Sequence, residues 1–170
     1  MTTTNSTAKQ FIIMRHAKTE SFASSDHVRE LTERGERDSR AAGQWLSVSE
    51  LVPDCIVVSS AARARGTVDQ LCEAMGKRPD VIVLDELYGA DEYDVLAVCA
   101  AKVPSDSQIA LVVGHNPTMA MTAWLIQPED TRADTYFPTS GIAVFEIDVE
   151  WSELDPGVGT LVGTHTPHDS

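Results

Sequence analysis

Short apolar runs separated by amphipathic stretches dominate the hydrophobic pattern of this chain. Phe11-Ile12-Ile13-Met14 is the first run, and it passes directly into Arg15-His16. Runs of this length rich in β-branched residues predict buried strands, with the polar pair at the strand's C-terminal end. Similar runs lie at Cys55-Ile56-Val57-Val58, Val81-Ile82-Val83-Leu84, Ile109-Ala110-Leu111-Val112-Val113 and Ile142-Ala143-Val144-Phe145-Glu146-Ile147. Residues 159–162 predict a short sixth strand at an edge.

Between the strands the period lengthens. Thr32 offers an N-cap for a helix over 33–48, with Ala41, Ala42, Trp45 and Leu46 on one face. Pro53-Asp54 breaks the chain before the second strand. Ala64, Val68, Leu71, Cys72 and Met75 are spaced for a second helix, which Gly76 ends. Residues 93–103 predict a weaker third helix. Asn116 reads as the N-cap of a fourth helix and Pro117 as its first residue, with Met119, Ala123, Trp124 and Ile126 on it. Residues 17–29 and 127–140 are polar loops, the first lying over the end of strand one.

Strands alternating with helices, with no repeat and no linker, predict an α/β fold: a single three-layer α/β/α domain around a mostly parallel sheet. That domain is expected over residues 10–163, with disordered tails at 1–9 and 164–170. The length of 170 residues suits one domain with a full core. Met1-Thr2-Thr3-Thr4-Asn5-Ser6-Thr7 has no basic region and no apolar stretch, so it does not read as a signal peptide. No apolar run approaches the roughly 20 residues that cross a bilayer. Cys55, Cys72 and Cys99 lie inside apolar patterns and read as reduced core thiols, so a cytoplasmic location is expected. A net charge of −13 argues against nucleic acid and anionic membranes as partners. It also obliges any phosphate site to rely on local cations, which screening over about 8 Å allows.

In an open α/β sheet the ligand crevice lies at the carboxyl ends of the strands. Strand one delivers Arg15 and His16 there, strand two Ser59, Ser60 and then Arg63, and strand four His115. Two forked cations and two imidazoles suit a phosphoryl group, which needs positioning and charge stabilisation more than covalent variety. His115 also sits where a strand runs into a helix N-terminus, a place that favours anions. A metal bound by His16 and His115 is disfavoured by the neighbouring arginines and by the lack of a close-spaced ligand pair, so no metal or cofactor is expected. Gly157-Val158-Gly159 precedes no helix and is not a dinucleotide loop. His27, His165 and His168 read as solvated loop or tail residues, Arg65 as surface, and 91–94 as an acidic helix start. Arg29 either reaches the site or anchors its loop.

Four segments in order resemble the histidine phosphatase superfamily, also called phosphoglycerate mutase-like. Arg15-His16-Ala17 resembles its arginine-histidine-glycine motif, with alanine in the third place. Residues 59–67 resemble the second arginine motif, with Ser60 where proline is usual. Val113-Gly114-His115-Asn116-Pro117 resembles the second histidine motif. Arg29-Glu30-Leu31-Thr32-Glu33-Arg34-Gly35 is similar to a segment of the short SixA-type phosphohistidine phosphatases, with Glu30 in place of proline. The resemblance implies that His16 is the nucleophile, that Arg15 and Arg63 bind the phosphoryl oxygens, and that His115 stabilises charge on them. Arg29 is a further candidate for substrate binding. Leu84-Asp85-Glu86 is similar to the place where mutase relatives carry a proton-donating glutamate, which nominates Glu86. Phe22 stands where larger relatives have an asparagine, which fits a small SixA-like enzyme better. The implied function is a metal-independent phosphatase working through a phosphohistidine intermediate, with a phosphohistidine-carrying protein as preferred substrate. The alternatives are a phosphatase for sugar phosphates or nucleotides, and a non-catalytic module that binds phosphate or a partner.

Overall fold

A computed structural model describes residues 8–167. Among the described residues six strands form one sheet: β1 (Lys9–Arg15), β2 (Cys55–Ser59), β3 (Asp80–Leu84), β4 (Ile109–Gly114), β5 (Ile142–Ile147) and β6 (Gly159–His165). Their order is β3-β2-β4-β1-β5-β6. The first four in that order are mutually parallel, whereas β5 and β6 join antiparallel. Among the described residues four α-helices cover the sheet: α1 (Glu33–Val48), α2 (Ala62–Met75), α3 (Glu92–Lys102) and α4 (Thr118–Leu125).

Period-two alternation along each strand divides the core between two faces. Ile12, Met14, Ile56, Val58, Leu111 and Val113 pack with Ala42, Leu46, Ala64 and Leu71 of α1 and α2. Phe11, Ile13, Val57 and Val112 pack on the other face with α3, α4 and the fully buried Trp151. The central strands are apolar on both sides, which is why they read as continuous runs and not as alternating ones.

Local chemistry sets the helix ends. The Thr32 hydroxyl accepts from the Gly35 amide at 3.0 Å, so α1 starts where its cap predicted. α2 stops at Gly76, whose φ of 70° is the left-handed conformation that glycine adopts at little cost. Gly43 lets α1 approach α2 closely: a Cβ there would lie 2.6 Å from the Leu71 carbonyl oxygen.

Two expectations change. α4 begins at Thr118, not at Asn116-Pro117, because Pro117 takes the capping place. The Asn116 side chain instead accepts from the Ala120 amide and donates to the Phe137 carbonyl, tying α4 to the loop before β5. Trp124 lies on α4 as expected, partly exposed beneath the Arg132 guanidinium, 4.5 Å from its ring centre. β6 runs on to His165, whose ring stacks on Trp45 at 4.9 Å, so this histidine belongs to the sheet and not to a tail. His168 and residues 1–7 lie outside the described residues.

Candidate active site

The strand order makes β2, β4 and β1 neighbours, so their carboxyl ends form one continuous rim. Arg15 is in register with Gly114, and Val58 with Val113. His16 and His115 each follow the last residue of a neighbouring strand, and their ring centroids lie 5.3 Å apart. Arg63 comes from the first turn of α2. His16 and Arg63 are only 7% and 6% exposed, so they form the floor of the crevice.

One hydrogen bond sets the state of His16. Its Nδ1 lies 2.7 Å from the Ala17 carbonyl oxygen, which can only accept. Nδ1 therefore carries the proton, and Nε2 is left with a bare lone pair and no partner among the described residues. Thr67 secures this arrangement: its hydroxyl accepts from the Ala17 amide at 2.9 Å and donates to the Arg63 carbonyl at 2.7 Å. Burial pushes the His16 imidazole down to about 3, and His115, Arg63 and Arg15 add charge that opposes its protonation. Burial likewise pushes His115 down to about 4, with Arg63 opposing and Asp26 favouring its charged form. Both rings are therefore neutral near pH 7. His115 Nε2 and Ser59 Oγ share a 2.8 Å hydrogen bond.

Several polar atoms here are left over. Arg15 Nε, Arg63 Nε and His115 Nδ1 are buried without a hydrogen bond among the described residues. Unsatisfied buried donors are costly, and the two guanidinium Nε–H groups in one cleft mark a place for an acceptor-rich ligand. A tetrahedral oxyanion supplies such acceptors and fits forked guanidinium geometry. Arg15 itself is held by an Nη1 bond to the Phe137 carbonyl at 3.2 Å.

The mouth of the crevice holds residues that the sequence did not nominate. The loop between β1 and α1 folds back so that the Asp26 carboxylate accepts from Arg63 Nη2 at 3.0 Å, while the Asp26 carbonyl accepts from Nη1 at 2.8 Å. The Tyr88 hydroxyl donates to the same carboxylate at 2.5 Å. The Tyr88 ring meets the edges of His27 and His115, with centroids at 4.9 and 5.6 Å. His27 Nε2 and Ser60 Oγ share a 2.9 Å bond, so His27 is a packed wall residue and not a solvated one. Only an aromatic beside the strand-three turn hinted at Tyr88, and nothing in the spacing signalled Asp26.

The other predicted residues resolve as follows. Arg29 anchors the loop: it donates to Asp26 Oδ1, Thr19 Oγ1 and the Glu20 carbonyl. Arg65 is exposed and donates to the Ser60 carbonyl, consistent with a surface place. Glu86 lies on a one-turn 3-10 helix (Asp85–Leu87), is exposed, and forms no hydrogen bond or ion pair with this cluster among the described residues. Asp91 caps α3 through a reciprocal bond with Asp94. Among the described residues no three His, Cys, Asp or Glu side chains converge as a metal site.

The family model of the histidine phosphatase superfamily (branch 1) matches residues 11–92. An uncharacterized protein of Mycobacterium tuberculosis is 35% identical over 162 residues, covering 91% of this chain and 99% of that protein. The chain belongs to the histidine phosphatase superfamily. A Nakamurella multipartitia structure bearing the SixA designation is 34% identical with a TM-score of 0.85, covering 95% of this chain and 97% of that one. The protein histidine phosphatase SixA complexed with tungstate is 28% identical with a TM-score of 0.81, covering 93% and 97%. As a superfamily member with SixA-type neighbours, the protein is a phosphatase, a hydrolase working through a histidine. No helix among the described residues is long and apolar enough to cross a membrane.

Proposed function

We propose that this phosphatase removes phosphoryl groups from phosphohistidine carried on a protein, with His16 as nucleophile. Nε2 of His16 attacks phosphorus and the bond to the leaving imidazole breaks opposite it. Water then attacks the phosphorylated His16, releasing phosphate and restoring the ring. Arg15 and Arg63 bind the equatorial oxygens, and His115 stabilises the charge that gathers there. Arriving phosphate would raise the proton affinity of His115, which burial keeps low, letting it donate.

The observation that carries this reading is the His16–Ala17 hydrogen bond, which presents an unprotonated nitrogen among cations with unsatisfied donors. Substrate class draws support from the likeness to SixA proteins and from an open crevice mouth, where Tyr88 is 38% exposed. A group projecting from a protein surface can enter such a mouth without being enclosed. Arg29 supports the reading indirectly, through the loop it holds, and Glu86 is left outside the proposed catalytic set.

A panel of a phosphohistidine peptide, a sugar phosphate, a nucleoside monophosphate and an aryl phosphate tests the assignment. The expected result is a kcat/KM for the phosphohistidine peptide at least about tenfold above every phosphoester. A sugar phosphate or nucleotide turned over faster would overturn it.

A further inference from the structure

A carboxylate stands where it should do harm. Asp26 sits 3.0 Å from a cation of the phosphoryl subsite, and its negative charge weakens anion binding there. It is no loose surface group: Arg63, Tyr88 and Arg29 all donate to it. The fixed place of this anion makes sense if the other half of the substrate is a cation.

Depth within the crevice places the two halves. His16 is buried on the floor, whereas Tyr88 is 38% exposed and the Asp26 side chain 52% exposed. In-line attack from His16 sets the leaving group on the far side of phosphorus, toward the mouth. We propose that Asp26, with the Tyr88 ring beside it, forms a leaving-group subsite that selects substrates whose departing group is a protonated imidazole. This rests on the phosphohistidine reading above and explains how such a substrate is told from a phosphoester.

The chemistry balances without a further reagent. The bound substrate ring carries a proton on the nitrogen that does not bear phosphorus, and so is a cation. His16 Nε2 gives its lone pair to phosphorus, the N–P pair returns to the substrate ring, and that ring departs as neutral imidazole. The positive charge passes to the His16 ring, which is now phosphorylated at Nε2 and protonated at Nδ1. An alkoxide leaving group brings no positive charge and would meet Asp26 as a like charge.

The carboxylate has room for this role. Oδ2 takes two donors and Oδ1 one, so Oδ1 keeps an acceptor position open at the half-exposed mouth. The Tyr88 ring already meets the Arg63 guanidinium 5.9 Å from its centre, and its exposed remainder, 38% of the residue, adds aromatic surface beside the carboxylate. Hydrogen bonds from Tyr88 and Arg63 hold Asp26 down at about 2, so it stays ionised at neutral pH and holds a proton-bearing ring without itself donating. The charged and titratable groups facing it are Arg29 and His27 of its own loop, Arg63 of α2, Tyr88 after β3 and His115 after β4. Arg15 and His16 of the β1 end lie deeper.

Asp26→Asn, with Tyr88→Phe as a second variant that keeps the ring, tests the proposal against wild type. The substrates are a phosphohistidine peptide and an aryl phosphate, and the readouts are rate and pH profile, with circular dichroism reporting the fold. The substituted amide keeps an acceptor oxygen for Arg63 but not the charge. The ratio of phosphohistidine to aryl phosphate rates is expected to drop at least about tenfold in Asp26→Asn, and less in the same direction in Tyr88→Phe. The alkaline limb of kcat for phosphohistidine should move down by about one pH unit, since one unit is a tenfold change in protonated fraction. Equal losses on both substrates with an unmoved limb, in a wild type that does cleave phosphohistidine, would overturn this inference alone. A wild type that cleaves only the aryl phosphate would overturn the phosphohistidine reading and this inference with it.

Discussion

The floor and the mouth of the crevice are built by different means. His16 and His115 follow the ends of β1 and β4 and Arg63 stands in the first turn of α2, fixed by a sheet whose central strands are buried on both faces. Asp26, His27 and Tyr88 arrive on loops, held by side-chain bonds to one another and to the floor. The floor is set by the fold, so any sequence that makes these strands makes the rim. The mouth is set by a few polar contacts, so it can change its chemistry without disturbing the sheet. Keeping one reaction on the floor while varying substrate choice at the mouth follows from that division.

Removing the proposed nucleophile separates the two regions most sharply. His16→Ala is expected to lower turnover of any phosphorylated substrate at least about a thousandfold while leaving the circular dichroism spectrum unchanged. An active variant would show that the floor is not where the chemistry occurs.

Arg63→Ala should come next, because Arg63 belongs to both regions. Losing it removes the proposed oxyanion contact and frees Asp26, so kcat/KM should fall by about a hundredfold. Calorimetry with inorganic phosphate or vanadate should show weaker binding in the variant. Unchanged affinity would place the anion elsewhere.

A pH titration sharpens the contrast in burial. The ring carbon signals of His16, followed by NMR, should stay those of neutral imidazole down to pH 5. At an ordinary pKa near 6.5 the neutral fraction would fall about thirtyfold there. Because the folded value is lowered to about 3, the unfolded chain binds the extra proton first. This contribution to stability is therefore complete above about pH 6.5 and declines as pH falls toward 3. His16→Gln should flatten that part of the stability curve, and an equally steep decline would contradict the burial argument.

Glu86→Gln is expected to do least. An exposed residue with no bond to the cluster should change either rate by less than about threefold. A loss confined to phosphoesters would restore Glu86 as a proton donor.

Much of this was legible in the sequence because buried parallel strands announce themselves. Phe11 to His16, Cys55 to Ser59 and Ile109 to His115 each show an apolar run ending in polar residues, and the crevice of an α/β sheet must lie at those ends. Thr32 and Gly76 marked the ends of α1 and α2 by local chemistry alone. The mouth was not legible, since nothing local ties Asp26 to Arg63, 37 residues away, or to Tyr88, 62 residues away. β6 escaped in part for a different reason: its exposed edge position leaves Thr160 to His165 without an apolar pattern. Asn116 misled because its side chain bonds one turn further on, to Ala120, and not as a cap.

Trapping the phosphoenzyme tests the central claim most directly. Wild type mixed with a phosphohistidine peptide, quenched within milliseconds in base and mapped by mass spectrometry, should carry one acid-labile phosphate on His16. His115→Ala should accumulate the same adduct, and His16→Ala should carry none. A phosphate found on His115, or turnover with no phosphoenzyme at any quench time, would contradict the assignment of His16 as the nucleophile.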